Sequence, residues 1–383
     1  MAEESSTKNF SYISIGRLIA LFLQALFYLL FAKLLEPGLY GELNVALALA
    51  GTFATISRFG LGYSLQVSQS KKEYEVSDQI KTLFLVTTSA ASLILIPIDV
   101  FAAILCFGSS LFLMYQQDLM GLRKYKNFMV SSILKSVLFF VIPILLYFAL
   151  EIPGIVLGMA IASIIPSLSF FKDFKAKSFS GLKNRYKVLF QNSLIGISGL
   201  SVMVDKLLIS YLYGFSTVGV YQFNLQVLTA LQVLPGVLFL YLISEESTGA
   251  THGKINKLVI LAAVGIAITV IVISPFLVDM FFPKYVEGVF GLQLMVLTII
   301  PQSLGASFGA KLIARESTKI GYISLLNIGI LLFLISVLGD SYGLVGLSLA
   351  VLISTSIAVI LSYVLYRKLN TKNESNSFNA DLL

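Results

Sequence analysis

Charged side chains inside otherwise apolar stretches are the residues of this chain that could do chemistry. Four cations, Arg17, Arg58, Lys135 and Lys206, and one acid, Asp205, lie within such stretches. A charge there is costly, so it normally faces a partner, a polar cavity or the nearest interface. Arg suits phosphate because its planar fork binds two oxygens. Arg17, Arg58 and Lys135 therefore predict a site for an anionic head group, and snorkelling to the interface is the structural alternative.

Helical spacing places polar or small residues on the same faces as the two arginines. Arg17 lies three residues after a serine and seven before a glutamine. Arg58 lies in a stripe of small and polar residues, with spacings of three and four, that runs from Asn44 to Gly62. Small residues at this spacing also fit a helix-packing seam. The predicted polar lining of a cavity comprises seven residues: Ser14, Gln24, Asn44, Thr55, Ser201, Asn224 and Gln226.

Asp205 has three interpretations. It could bind a coupling cation, neutralise a cation of the cavity, or anchor its own helix. Lys206 follows it directly, so the two side chains start about 100° apart on a helix and need not pair.

Composition indicates a membrane protein. Of 383 residues, 57% are hydrophobic and 12% charged, and the mean hydropathy is +0.89. Charge-free runs near the ~20 residues of a bilayer-spanning helix recur along the chain, and unbroken apolar runs exclude a β-barrel. The single cysteine excludes an intrachain disulfide, and the single histidine argues against metal clusters and catalytic triads. No phosphate-binding loop motif is present. We therefore expect no catalytic residue, metal or cofactor.

The predicted fold is all-α, with about twelve transmembrane helices in two pseudo-symmetric six-helix bundles around a central cavity. The helices are predicted at 10–33, 42–65, 81–98, 100–120, 128–150, 153–171, 188–212, 218–243, 257–281, 288–312, 320–338 and 343–366. The division between the third and fourth is the weakest. The predicted domains are a bundle at 1–171, a cytoplasmic basic amphipathic linker at 172–187, a bundle at 188–369 and a disordered cytoplasmic tail at 370–383. The linker also fits a plain positive-inside loop.

Loop charges predict the orientation. Twenty-one Lys and Arg residues fall on the side of the termini, and only Lys33 and Lys284 fall on the other side. The positive-inside rule then places both termini in the cytoplasm of a multi-pass protein in the cell membrane. The basic loops face anionic lipid, so the net charge of +7 needs no nucleic acid partner.

Internal similarity predicts a duplication. The segment 34–44 recurs as 213–224, and 154–162 recurs as 343–350. The second match pairs Gly158 with Gly346, an offset of 188 residues. Two copies of roughly 185 residues are typical of pseudo-symmetric transporters.

Several of these motifs resemble the polysaccharide (O-unit) flippases of the multidrug/oligosaccharidyl-lipid/polysaccharide exporter (MOP) superfamily. The resemblance lies in LEPGLYG at 35–41 with Asn44, RFGLG at 58–62, DKLLISYLYG at 205–214 with VGVY at 218–221, and YGLVG at 342–346 with Ala350. It implies two six-helix bundles in a V and movement of polyprenyl-pyrophosphate-linked oligosaccharide by alternating access. Related flippases use cationic cavity residues on the first two helices, where Arg17 and Arg58 lie.

The resulting hypothesis is a non-enzymatic flippase for a lipid-linked glycan, with membrane lipids and glycan polymerase or glycosyltransferase machinery as partners. A cation-coupled multidrug or metabolite antiporter of the same fold is the alternative, although it should favour acidic cavity residues. A different twelve-helix transporter or a non-transporting membrane protein is a third possibility. The segment 68–81 does not match the glycine-rich motif of the common 6+6 facilitators.

Overall fold

A computed structural model describes residues 2–172, 174–178, 182, 185, 189–190, 192–193, 200–232, 253–314 and 319–380. Within these ranges the chain is helical with no strand. The α-helices are α1 Ala2–Leu34, α2 Pro37–Arg58, α3 Leu61–Ser70, α4 Tyr74–Leu95, α5 Val100–Gly121, α6 Tyr125–Ser167, α7 Ser201–Leu231, α8 Gly253–Phe281, α9 Val289–Val296, α10 Ile299–Ala314 and α11 Lys319–Ala380. Short 3-10 helices span Leu168–Phe171 and Pro283–Gly288.

Seven stretches in the described ranges are long and apolar enough to cross a membrane. Two of them, Tyr125–Phe171 and Gly321–Lys368, are 47 and 48 residues long. Each is about twice the length that one crossing needs. Each also contains a break in helical geometry, at Glu151 and at Gly343. The predicted pairs 128–150 with 153–171 and 320–338 with 343–366 thus correspond to the two arms of α6 and of α11.

The breaks at Glu151 and Gly343 correct the register of the internal repeat. Their φ and ψ angles are 54° and −132°, and 54° and −133°. Three residues after each break, at Gly154 and Gly346, a Cβ would collide with a carbonyl of the preceding arm, that of Leu146 or of Leu338. These pairs share an offset of 192 residues. Gly346 therefore corresponds to Gly154 and not to Gly158, and the offset of 188 is wrong.

The second helix differs from its prediction at 42–65 at both ends. It begins at Pro37, because proline favours the first turn of a helix, where no amide donor is needed. It ends at Arg58, and Phe59 and Gly60 both have positive φ angles of 38° and 69°. The chain then continues as α3 to Ser70. The third and fourth predicted helices are separate in the structure, where α4 ends at Leu95 and α5 begins at Val100. The Asp99 carboxylate accepts hydrogen bonds from backbone amides in the first turn of α5.

Contact clustering separates two compact units, Met1–Val218 and Gly219–Leu383. In the first, α1 packs along α6, and α5 lies against α2, α3, α4 and α6. In the second, α11 packs against α9 and α10, and α8 against α9, α10 and the 3-10 helix Pro283–Gly288. The domain limits predicted from the sequence stay a prediction.

Candidate functional site

Helix α1, which carries Arg17, packs on α6 through the face that contains Gly16 and Phe27. Gly16 faces this helix so closely that a Cβ would lie 3.0 Å from Met129 Cα. Further along, the Phe27 and Phe139 rings meet at 4.8 Å between centroids. The two helices therefore run in the same direction. Arg17 is exposed, and it forms no ion pair with another described residue.

A small pocket lies between α1, α5 and α6. Gln24 and Ala20 line it from α1, and Phe112 lines it from α5. Lys135 and three neighbours on α6 complete the lining: Ser132, Ser136 and Phe139. The pocket volume is about 90 Å³. The structure thus brings together two residues predicted for the site, Gln24 and Lys135.

Lys135 sits between aromatic rings. Its Nζ lies 4.7 Å from the centroid of the Phe112 ring and 5.3 Å from that of Phe139. Both distances are typical of a cation–π contact. Arg17 precedes Gln24 by seven residues, about 10 Å along the helix axis, so Arg17 lies toward the start of α1 from this pocket.

Arg58 folds back onto its own helix. Its Nε donates a hydrogen bond of 2.9 Å to the Ala54 carbonyl, and Nη2 donates one of 3.3 Å to Thr55 Oγ1. The predicted neighbours Thr55 and Arg58 are therefore in direct contact. Arg58 is the last residue of α2 and of the stretch Pro37–Arg58 that is long and apolar enough to cross a membrane, directly before the break at Phe59–Gly60.

Asp205 and Lys206 form a buried pair. The sequence did not require this pairing, because adjacent side chains of a helix start about 100° apart. Their relative exposures are 2% and 5%, and Lys206 Nζ lies 3.6 Å from Asp205 Oδ1. Nearby, Met203 packs over Gly51, where a Cβ would lie 2.8 Å from Met203 Sδ. This part of α7 therefore lies beside α2.

The remaining predicted lining residues are dispersed. Asn44 is buried, and its Nδ2 donates to the Tyr40 carbonyl within α2. Asn224 is buried in the second unit, where its Nδ2 donates to the Gly288 carbonyl at 3.0 Å. Gln226 is buried two residues further on. Ser14 is half-buried on α1, and the side chain of Ser201 lies outside the described residues. Their role as cavity lining stays a prediction.

The sequence prediction missed a buried charge network at one end of the first unit. Lys81 Nζ lies 2.9 Å from Asp118 Oδ1, and both side chains are less than a tenth exposed. Gln69 Nε2 donates to the same oxygen at 2.7 Å, and the Phe170 ring lies 5.0 Å from Lys81 Nζ. The available signal was the position of two opposite charges at neighbouring predicted helix ends. The pairing of Lys81 with Asp118 was missed because Lys81 was counted only as a loop cation.

The described part of the linker is attached to the first unit. Leu182 is buried in a core cluster with Leu61 and Ile80. Arg185 Nη1 lies 2.8 Å from Glu73 Oε2, and this hydrogen bond lowers the pKa of the Glu73 carboxyl below its usual value. Beyond the linker, Asn192 Nδ2 donates to Ser64 Oγ at 2.8 Å. The segment therefore packs on protein at these points.

The break at Phe59–Gly60 accommodates the chain that follows the linker. A Cβ at Gly60 would collide with the Ser193 amide nitrogen and the Asn192 carbonyl group. Gly60 thus has two reasons to be glycine, its positive φ and this close approach. No group of three His, Cys, Asp or Glu side chains that could hold a metal occurs in the part of the chain that the structure describes.

This helical arrangement is shared with known membrane transporters. The lipid II flippase MurJ in an inward closed conformation matches with a TM-score of 0.74 and 16% identity, covering 94% of this chain and 87% of that one. An inward-facing multidrug resistance MATE family transporter of the MOP superfamily matches with a TM-score of 0.73 and 14% identity, covering 96% and 99%. The chain is thus an integral membrane protein with the fold of MOP superfamily transporters.

Two further comparisons bear on the family. A MOP superfamily transporter from Pyrococcus furiosus, described as having a binding pocket of reverse polarity, matches with a TM-score of 0.62 and 15% identity, covering 94% of this chain and 95% of that one. Residues 6–105 match the family model described as "Polysaccharide biosynthesis protein". No curated protein sequence matches the chain. The predicted resemblance to polysaccharide flippases of the MOP superfamily is confirmed by the family match and the fold together.

Proposed function

We propose that this protein is a flippase that moves a polyprenyl-(pyro)phosphate-linked oligosaccharide across the cytoplasmic membrane for glycan biosynthesis. The observation that carries the proposal is the match of residues 6–105 to a polysaccharide biosynthesis family. The matched segment contains both Arg17 and Arg58. The likeness of the fold to a lipid II flippase supports the same class of activity.

In this proposal the arginines hold the anionic head group. Arg17 is exposed, and among the described residues it has no acidic partner, so its guanidinium is available to phosphate oxygens. Arg58 donates hydrogen bonds to two neutral acceptors, the Ala54 carbonyl and the Thr55 hydroxyl. A bound phosphate would replace these contacts with charge-assisted hydrogen bonds, which are roughly twice as strong. The sugars occupy polar surroundings, and the prenyl tail stays in lipid.

Transport in this proposal proceeds by alternating access and involves no covalent chemistry. A cation or proton at Asp205 could drive it, but it would have to compete with Lys206 Nζ at 3.6 Å. Both termini lie in the cytoplasm, and the machinery that assembles or polymerises the glycan is the expected partner. Lys135, the third predicted head-group cation, lines a separate pocket with Gln24 and Phe112, and its contact with the head group stays a prediction.

The test removes the two charges while retaining hydrogen-bonding side chains. We expect an Arg17→Gln/Arg58→Gln double variant to reduce glycan export at least ten-fold, because each lost charge-assisted contact is worth about 1.5–3 kcal/mol. The lipid-linked precursor should accumulate in cells, and the amount of protein in the membrane should not change. Lys33→Gln, at the exposed end of α1, is the matched control. Wild-type export by the double variant would refute the site.

A drug antiporter is the second candidate, because a multidrug MATE transporter shares the fold over nearly the whole chain. Such a pump for cationic drugs needs exposed cavity acids, whereas Asp205 is paired with Lys206. Overexpression should therefore leave the resistance of cells to cationic drugs unchanged. Increased resistance, together with normal glycan export after deletion of the gene, would favour the antiporter.

A further inference from the structure

Lys135 is a half-buried cation. In the described part of the chain no carboxylate lies within ion-pair distance of its Nζ. The two aromatic rings stabilise the ammonium by cation–π contact. Such contact is weaker than the hydration that the ammonium loses inside a helical bundle. The site therefore needs a counter-charge that the described residues do not supply.

The pocket offers few hydrogen-bond donors, and Lys135 gives it one formal positive charge. The Lys135 ammonium carries three N–H donors, and the Gln24 amide, which also hydrogen-bonds to Tyr28, adds a further donor. The hydroxyls donate elsewhere, Ser132 Oγ to the Phe128 carbonyl and Ser136 Oγ to the Ser132 carbonyl, both at 2.8 Å. One positive charge matches one negative charge. A divalent phosphate would be left half-neutralised and short of donors.

The pocket is small. Its volume is about 90 Å³, which leaves room for a single small ion together with ordered water. Two walls are phenyl rings, which favours an ion that is easily dehydrated.

We propose that the pocket of Gln24 and Lys135 binds a small monovalent anion of the size of chloride. The ion neutralises Lys135 and bridges α1 to α6 through the amide and the ammonium. This site is separate from the head-group arginines, and it does not rest on the proposed glycan substrate.

The experiment measures chloride binding by the purified full-length protein in detergent. Sodium gluconate is replaced stepwise by sodium chloride at constant ionic strength, so that general screening does not change. Unfolding is followed with a maleimide dye that reacts with Cys106, which is buried and is the only cysteine. A ligand that binds only the folded protein raises the midpoint of unfolding with its concentration. We expect chloride to raise the midpoint by about 2 °C or more.

Variants locate the effect. Lys135→Met keeps the length of the side chain and removes its charge, so it should raise the half-saturating chloride concentration at least ten-fold. Lys135→Arg should retain the chloride response, and Gln24→Leu should weaken it. Lys33→Met, which removes an exposed cation on the same helix, should respond like the wild type. If Lys135→Met does not fold, Gln24→Leu and a bromide-soaked crystal with an anomalous peak beside Lys135 Nζ decide the question.

Two results would overturn the proposal. One is a wild-type protein whose unfolding midpoint is the same in chloride and gluconate. The other is an equal chloride response in the wild type and in Lys135→Met, which would place the ion elsewhere. Because the readout is unfolding, failure of this proposal leaves glycan export by Arg17 and Arg58 untouched, and the reverse also holds.

Discussion

At the scale of single residues, the charges of this protein differ in how they are compensated. Asp118 neutralises Lys81 at 2.9 Å, and Asp205 lies 3.6 Å from Lys206. Lys135 contacts two aromatic rings and has no acidic partner among the described residues. Arg17 is exposed. A compensated pair serves the structure, whereas an uncompensated cation is available to a ligand. This difference separates the structural charges from the candidate binding charges.

The Lys81–Asp118 pair gives a prediction about stability. Asp118→Asn leaves the Lys81 ammonium buried and unpaired, which costs about 3–5 kcal/mol for a buried pair. The midpoint of thermal unfolding in detergent should fall clearly. Glu73→Gln, which removes the acid of the exposed Glu73–Arg185 pair, is the matched control and should change the midpoint little. Equal effects of the two substitutions would show that burial of the first pair does not matter.

Sequence reasoning found individual charges but not their partners. Gln24 was selected by helical spacing and Lys135 as a charge inside an apolar run, and no contact between them was expected; the structure places both in the lining of one pocket. It could not show that Lys81 and Asp118 pair, because their helices meet only in three dimensions. The Asp205–Lys206 contact was missed for a different reason. Adjacent residues of a helix diverge by about 100°, but a long lysine side chain can bend back to its neighbour.

At the scale of helices, breaks were harder to predict than the helices themselves. Apolar runs located the membrane helices because length and hydropathy suffice for this. The break at Phe59–Gly60 has no proline, and the approach of Asn192 and Ser193 that requires it comes from a distant part of the chain. The break at Glu151 falls in the predicted gap between 150 and 153, but the φ of 54° at a non-glycine residue does not follow from the local sequence. Tertiary contacts therefore decide where α2 ends.

Gly60 gives a prediction at this scale. Gly60→Ala places a Cβ at a positive φ of 69° and against the Ser193 amide, which should cost about 2 kcal/mol or more. Gly265→Ala is the matched control, because no atom lies within 4 Å of its Cβ position in helix α8. That substitution should be neutral or stabilise by up to about 1 kcal/mol. Thermal unfolding of both variants measures the difference, and effects of the same sign would contradict the structural role of Gly60.

At the scale of the whole molecule, the repeat is visible in backbone geometry more clearly than in sequence. Glu151 and Gly343 are different residues with nearly equal φ and ψ angles. Gly154 and Gly346 then fill equivalent positions against the preceding arm. Sequence similarity alone aligned a different glycine, because small residues recur every four positions in 154–162 and produce several plausible registers. The close approach of Gly154 and Gly346 to the preceding arm selects the offset of 192 residues.

The orientation of the whole molecule can be tested with cysteines. Lys33→Cys and Lys284→Cys should react with a membrane-impermeant maleimide in intact cells, because both residues are exposed and are predicted on the outer side. Lys126→Cys, exposed at the start of α6, should react only after the cells are permeabilised. The native Cys106 is buried and should add little background. Labelling of Lys126→Cys in intact cells would invert the predicted topology.

Three residues that follow α6 in the chain, Leu182, Asn192 and Ser193, contact the helices before them. This order along the chain has a consequence for biosynthesis. When the ribosome has completed residue 171, all six helices α1 to α6 exist, but their core still lacks Leu182 and the break at Gly60 lacks its neighbour. At about 5–20 residues per second, translation reaches residue 193 roughly one to four seconds later. During that interval the nascent first half is incompletely packed at these sites. A protein truncated after the sixth helix would stay incompletely packed at these sites, and we expect membrane quality control to degrade it.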